Sequence, residues 1–423
     1  MTKQEATILY IAENYLDHGR LRYDIVSDKL QVREENAWRE MTKLDVNSIV
    51  CHSAQQYNAN ITSREVLTAL HSDLIPRVHP LREYLRALPP HSPQAPDWID
   101  MVAQQVTIKP PYNSSQGGEA SEDKQSSLLG EDLGGANALW RLCFKKWFVA
   151  MVASWLYDDV VNHQVLVLIG RQGIYKTTWL ERLIPPELRA YSCKMTNSSE
   201  LNKDERLRIA EFGLISLDEI DSMNNRELNQ FKSLITASDV NERAAYAYSK
   251  ERRMRLASFC ASGNRHDFLT DITGNRRWLP FEVESIQNPF FTTLPYMQMY
   301  AQALYLIEHD FNYWFDLDEI EVIEEHNQLF RDESMEEQWI PILFDVPAEG
   351  RGIFLTTGQI SERLVTYGNI KRPLPLNLLG RAMRDAGFQD VRRKIGNLQK
   401  RGWIVYQRDT NEIEHMKHLL LHE

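Results

Sequence analysis

The spacing of hydrophobic positions changes several times along this chain. At Val165-Leu-Val-Leu-Ile169 five apolar residues stand in a row, and the run stops at Gly170. A short continuous run of this kind predicts a strand buried on both faces. The polar stretch Gly170-Arg-Gln-Gly-Ile-Tyr-Lys-Thr-Thr178 follows, and Trp179-Leu-Glu-Arg-Leu183 resumes at helical spacing. Two later apolar runs predict further strands. One lies within Glu211–Asp221 and runs into Asp218-Glu219, and the other spans Leu256–Asn264. Asn225–Thr236 between them has the period of an amphipathic helix. Ala138–Leu156 carries aromatic residues around much of its circumference, which predicts a long helix buried against the core.

Upstream, helices are predicted at Ala6–Tyr15, Leu44–Cys51, Ser63–Ser72 and Pro80–Leu88. Thr62 or Ser63 would cap the third of these, and Pro80 opens the fourth. Leu21–Val26 and Leu30–Arg33 read as two short strands around a polar turn. Residues 1–108 are expected to form a mostly helical accessory domain. It contains no catalytic constellation, and His52, His71 and His79 read as surface or packing residues. Residues 109–130 are rich in Pro, Ser, Gly and Glu and read as a linker. Residues 131–345 would hold the α/β domain with flanking helices, including an acidic face over Asp316–Glu325. Residues 346–423 would form a last domain. Helices at Thr357–Tyr367 and Pro375–Gly387 precede strands at Val391–Ile395 and Gly402–Arg408, the order of a winged helix.

Composition changes this picture little. The chain has 423 residues, 43% hydrophobic and 25% charged, as expected for two or three globular domains. No apolar run approaches membrane-spanning length, and the N-terminus lacks a signal-peptide core. Cys51, Cys143, Cys193 and Cys260 are scattered with no CxxC spacing, which indicates neither a disulfide framework nor a zinc site. A cytoplasmic location is expected. The net charge of −11 argues against a globally basic nucleic-acid coat, yet Lys371–Arg408 holds ten Lys and Arg against two Asp. Lys371, Arg372, Arg381, Arg392, Arg393 and Lys394 are therefore candidate DNA contacts. A winged helix used for protein contacts is the alternative.

The stretch from Gly170 to Thr178 has the pattern of a phosphate-cradling loop. Backbone N–H groups of Gly170, Arg171, Gln172, Gly173, Ile174 and Tyr175 and of the first helical turn would face the phosphates of ATP. Lys176 would reach the β- and γ-phosphates, and Thr177, followed by Thr178, would place a hydroxyl on Mg²⁺. Tyr175 stands where glycine usually precedes the lysine, so local backbone strain is expected there. Asp218 suits the metal and Glu219 the attacking water. Asn264, at the end of a strand, could sense the γ-phosphate. Arg276 and Arg277 in Thr273-Gly-Asn-Arg-Arg-Trp278 present two guanidinium groups suited to transition-state charge. The basic segment Asn241–Arg255, with Arg243, Lys250, Arg252 and Arg253, reads as a DNA-contacting hairpin or a solvated charged face.

The phrases Gly-Arg-Gln-Gly-Ile-x-Lys-Thr-Thr, Leu-Asp-Glu-Ile-Asp and Gly-Asn-Arg-Arg-Trp occur in this order between Gly170 and Trp278. This order resembles the virulence-associated E family of phages and mobile elements, P-loop ATPases related to superfamily 3 helicases. The resemblance covers roughly Trp140 to Pro280. It implies an α/β P-loop NTPase fold of AAA+ or superfamily 3 type, a parallel sheet flanked by helices. It implies Lys176 and Thr177 at the triphosphate and Mg²⁺, Asp218 and Glu219 as the acidic pair, and Asn264 as sensor. Arg276 or Arg277 would reach a neighbour's nucleotide in a ring, commonly hexameric, moving on single-stranded or forked DNA. No primase motif is visible, so a primase or initiator would be a separate chain. The expected function is an ATP-dependent, helicase-like motor of mobile-element or phage replication. The alternatives are an ATP-binding, DNA-binding initiator or regulator and a defence-related ATPase without unwinding activity.

Overall fold

The computed structural model describes residues 2–35, 37–110, 135–195, 203–242, 251–269, 275–331, 334–347, 352–371, 373–396 and 398–421. The expected linker therefore lies almost wholly outside the described residues, as do Arg243, Lys250, Arg372 and Gly274. The chain divides into two compact units, 1–330 and 331–423.

The first unit opens with α1 (Lys3–Ile11), whose Thr2 and Glu5 cap it reciprocally. Then come β1 (Leu21–Asp24), β2 (Lys29–Glu34), β3 (Ala37–Glu40), α2 (Lys43–Tyr57), α3 (Ser63–Leu70) and β4 (Arg77–Val78). The four strands form a sheet in the order β3-β2-β1-β4. The helices close it over Ala6, Ile11, Leu21, Ile49, Val66 and Leu70. The strands expected around the turn at Ser27 are present as β1 and β2, and β3 and β4 widen them into a sheet.

Next come α4 (Pro80–Arg86), α5 (Trp98–Ala103), β5 (Val106–Ile108) and α6 (Gly135–Leu156). Helix α6 is buried along most of its length, through Trp140, Phe144, Trp147, Phe148 and Trp155. Each buried indole N–H of α6 finds a carbonyl. Trp140 donates to Ala103 (2.9 Å), Trp147 to Phe259 (3.2 Å) and Trp155 to Gly213 (3.1 Å). These bonds tie α6 to α5, to β11 (Ser258–Gly263) and to the residue just before β8 (Leu214–Leu217).

The central sheet is built from β5, β6 (Val165–Ile169), β7 (Ser192–Met195), β8 (Leu214–Leu217), β11 (Ser258–Gly263) and β12 (Trp278–Ile286). Its order is β5-β12-β6-β11-β8-β7. All neighbours are parallel except β5, which pairs antiparallel with β12. Among the connecting helices, α7 (Lys176–Glu181) follows β6, α8 (Lys203–Glu211) precedes β8, and α9 (Asn225–Thr236) follows it. A two-stranded ribbon, β9 (Asp239–Glu242) and β10 (Glu251–Met254), stands apart from the sheet. Helices α10 (Tyr296–Glu308) and α11 (Leu317–Asn327) complete the unit. Strand β6 shows why its sequence is uniformly apolar. Leu166 and Leu168 face the core that holds Trp147 and Tyr300, while Val165, Val167 and Ile169 face the core that holds Phe231 and Phe259.

The second unit contains α12 (Met335–Leu343), β13 (Phe344–Asp345), β14 (Ile353–Thr356), α13 (Thr357–Gly368), α14 (Leu376–Asp385), β15 (Asp390–Ile395), β16 (Leu398–Gln407) and α15 (Thr410–Leu421). Helix, helix and hairpin occur in the expected order, with β14 as a third strand paired to β16. Trp339, Leu343, Ile360, Leu364, Leu379, Met383 and Trp403 form its core.

Candidate functional site

The parallel strands β6, β8 and β11 end on the same edge of the sheet, with Ile169 in register with Gly263 and Leu217 with Ala261. In parallel α/β sheets ligands bind outside the carboxyl ends of strands. An open cavity of about 330 Å³ lies there, lined by Gln172, Gly173, Tyr175, Lys176, Thr177, Thr178, Asp218, Glu219, Ser262, Gly263 and Asn264. Three sequence-distant segments thus meet because three strand ends are adjacent. Strand β11 separates the loop after β6 from the acidic pair after β8 and delivers Ser262 and Asn264 between them.

The loop turns sharply at its start. A Cβ on Gly170 would stand 2.9 Å from the Val283 carbonyl oxygen, so glycine is required for the close approach to β12. Arg171 and Gln172 are exposed, and Ile174 packs its side chain back onto the core. Gly173 (φ +86°) and Tyr175 (φ +69°) both adopt left-handed backbone. Tyr175 carries the strain that the missing glycine implies. Its hydroxyl accepts from Asn288 (3.4 Å), and its ring meets Phe290 edge-on.

Lys176 is almost fully buried. Its ammonium donates to the carbonyl oxygens of Gly170 and Arg171, both at 2.7 Å, and to Asn264 Oδ1 at 3.3 Å. Burial lowers the Lys176 pKa, while the carboxylates of Asp221 and Asp218 pull it up. Next to it, Thr177 Oγ1 and Ser262 Oγ stand 2.8 Å apart and both reach Asp218 Oδ1, at 3.1 and 2.9 Å. Three hard oxygens converge on one point, a donor set that fits Mg²⁺. Among the described residues no group of three or more His, Cys, Asp or Glu could hold a metal ion. Mg²⁺ needs few protein ligands, because it keeps several waters and takes phosphate oxygens.

Glu219 also adopts left-handed backbone, at φ +55°. Holding a glutamate there is unfavourable, and the geometry directs the chain away from β8 into the short turn Ile220–Ser222. Asp221, not singled out in the sequence, accepts from the Arg265 backbone N–H through Oδ2 at 3.0 Å. Its Oδ1 is buried without a hydrogen-bond partner among the described residues. Ser262 was likewise missed. Its only sequence signal is a hydroxyl two positions before Asn264 at a strand end. Gly263 between them is required, since a Cβ would lie 2.8 Å from Ile169 Cδ1 and 2.9 Å from Asp221 Oδ1.

Arg276 and Arg277 do not join this cavity. They sit in a short turn, Asn275–Arg277, braced by the Asn327 side-chain amide on the carbonyls of Asn275 (2.8 Å) and Trp278 (3.0 Å). Trp278 is in register with Val165, at the amino end of β6. The arginines therefore lie at the opposite edge of the sheet from Lys176, separated by at least ~13 Å at ~3.3 Å per strand residue.

The remaining basic candidates differ in presentation. Arg252 is exposed and pairs with Asp239 at 2.8 Å. Arg253 is turned inward between Asp28 and Glu211, which neutralise it, so it is not presented as a phosphate contact. Arg255, on the same segment, is buried and donates to the carbonyls of Asn162 (2.7 Å) and Ala257 (2.9 Å). In the second unit Lys371 is exposed and Arg381 half-buried, near Asp385 at 3.9 Å. On the β15–β16 hairpin Arg392 faces Arg401 and Arg393 faces Lys400, and these residues and Lys394 are exposed. Arg401 is paired with Asp390, while Arg393 and Lys400 stand opposite each other as like charges, an unfavourable pair that an anion between them would relieve.

Among the described residues no helix is long and apolar enough to cross a membrane. No curated protein matches the chain. Among solved structures, an apo structure of the C-terminal region (305–718) of NrS-1 is 13% identical. The similarity covers 95% of this chain and 99% of that one, with a TM-score of 0.44. An A-form apo structure of the same region is 12% identical, covers 94% and 99%, and has a TM-score of 0.43. The virulence-associated protein E-like domain matches residues 119–332, just over half of the 423 residues and the whole of the cavity described above. The chain belongs to the virulence-associated protein E-like domain family.

Proposed function

We propose that this protein is a Mg²⁺-dependent P-loop ATPase of AAA+/superfamily 3 helicase type, acting on DNA in mobile-element or phage replication. The observation that carries this reading is the meeting of Lys176, Thr177, Ser262, Asp218 and Asn264 on one cavity at three parallel strand ends. On ATP binding, Lys176 exchanges the carbonyls of Gly170 and Arg171 for β- and γ-phosphate oxygens. A buried ammonium with few counter-charges gains strongly from that exchange. Thr177 and Asp218 would hold Mg²⁺, which neutralises charge developing on the phosphates. Glu219 orients the attacking water and takes its proton. Asn264, already in contact with Lys176, reports the γ-phosphate to β11.

Arg276 and Arg277 lie at the opposite end of the sheet from the cavity of their own chain and would act on a neighbouring subunit's nucleotide, in a hexameric ring. The winged-helix-like second unit would offer its exposed hairpin to DNA phosphates through Arg392, Arg393, Lys394 and Lys400. Particle mass measured with ATP and forked DNA tests the ring. ATP turnover with and without single-stranded DNA tests the motor. Stimulation by DNA is expected, and binding of ATP without turnover would instead favour an initiator or regulator.

A further inference from the structure

Two large aromatic residues stand exposed on the loop that follows β12, Phe290 (74% exposed) and Phe291 (89%). Exposed aromatic side chains of this size gain from a partner that covers them. The loop is ordered by its own contacts. Asn288 Oδ1 accepts from the Phe290 backbone N–H at 3.0 Å, and the Asn288 carbonyl accepts from the Thr292 backbone N–H at 3.1 Å and from its hydroxyl at 3.0 Å. Asn288 also donates to the Tyr175 hydroxyl (3.4 Å), and the Phe290 and Tyr175 ring centroids are 6.2 Å apart at 80°. Tyr175 itself lines the cavity of Lys176 and Thr177.

We infer that Tyr175 and Phe290 form the nucleobase subsite of this cavity, on which the base of the bound nucleotide stacks. This rests on the reading of the cavity as a triphosphate site. An edge-on pair leaves a ring face open to each side, and a planar base stacks on such a face with little demand for particular hydrogen bonds. The phosphates of a nucleotide held by Lys176 leave its ribose and base at the mouth of the cavity, where Tyr175 stands. The same contact explains a tyrosine at a backbone position that favours glycine. The strain at Tyr175 persists because its ring is used.

The test compares ATP with inorganic tripolyphosphate, each titrated calorimetrically into the full chain with Mg²⁺. Phe290→Ala changes an exposed side chain, and Tyr175→Asn removes the ring while keeping a residue that tolerates left-handed backbone. Phe290→Ala is expected to weaken ATP by roughly 5- to 10-fold and to leave tripolyphosphate within about 2-fold, with Phe290→Trp restoring ATP affinity, and Tyr175→Asn is expected to weaken ATP more than tripolyphosphate. Lys176→Ala is expected to weaken both ligands. Unchanged ATP affinity in Phe290→Ala, or equal losses for ATP and tripolyphosphate, would overturn the inference while leaving the triphosphate site intact. Loss of single-stranded DNA binding with ATP affinity unchanged would overturn it in favour of a DNA base as occupant. If Lys176→Ala weakened neither ligand, the triphosphate reading itself would fall and the base subsite with it.

Discussion

The strain at Tyr175 can be isolated by comparing Tyr175→Ala with Tyr175→Gly. Both substitutions remove the same ring and the same contact with Phe290, so that loss cancels between them. What remains is the backbone at φ +69°. A non-glycine residue in the left-handed region costs about 1–2 kcal/mol. Glycine avoids that cost but gives up about 0.5–1 kcal/mol through the greater freedom of its unfolded chain. The glycine variant is therefore expected to be the more stable of the two by about 0.5–1 kcal/mol. At an ordinary helical position the order is reversed by a similar amount, so the sign alone decides. Urea unfolding of the two variants measures it, read as a shift of midpoint at equal slope. An alanine variant as stable as the glycine variant, or more so, would refute the argument that this loop stores backbone strain.

Three further outcomes are expected. Arg276→Ala or Arg277→Ala should lower turnover by about 10³-fold with ATP binding retained. Mixing that variant with Lys176→Ala subunits should restore part of the activity, and failure to complement would contradict action across subunits. Replacing Arg393 and Lys400 by alanine should weaken DNA binding at all sequences. It should also lower the slope of log affinity against log salt by about 1 for each lost phosphate contact, and an unchanged slope would remove the hairpin from the interface. His79 caps α4 through Nδ1, which accepts from the Arg82 backbone N–H at 3.4 Å. Burial, with the Arg82 guanidinium adding, pushes its pKa down to about 4. The unfolded state then binds more protons between about pH 4 and 6.5, so stability rises with pH across that window. The gain is at most about 3 kcal/mol. His79→Asn keeps a cap without titrating and should lose this pH dependence in urea midpoints measured at pH 4.5 and 7.

The sequence made the strand at Val165–Ile169 readable because both faces of β6 are buried, which leaves no polar position to blur it. It made Asp218 and Asn264 readable because each directly follows a strand, where an apolar run stops at a polar residue, and Lys176 and Thr177 because they open α7 after the polar turn that follows β6. Contacts across long stretches of chain were not readable. Val106–Ile108 is too short to register as a strand, and its pairing with β12 lies about 180 residues away in the chain. Arg253 and Arg255 read as members of a basic segment because sequence records their charge and not their partners. One is neutralised by Asp28, and the other is buried among backbone carbonyls. Ser262 has no sequence signal beyond its place near a strand end, yet its hydroxyl is one of the three oxygens that converge with Thr177 and Asp218. The contact of Tyr175 with Phe290 joins two loops that nothing local connects.

The central claim is that the cavity around Lys176 hydrolyses ATP. Steady-state phosphate release by the full chain and by Lys176→Ala, each with and without Mg²⁺, tests it most directly. The wild-type chain is expected to turn over only with Mg²⁺, and loss of the Lys176 ammonium is expected to lower turnover by at least about 100-fold. Lys176→Ala hydrolysing ATP at the wild-type rate would contradict the account.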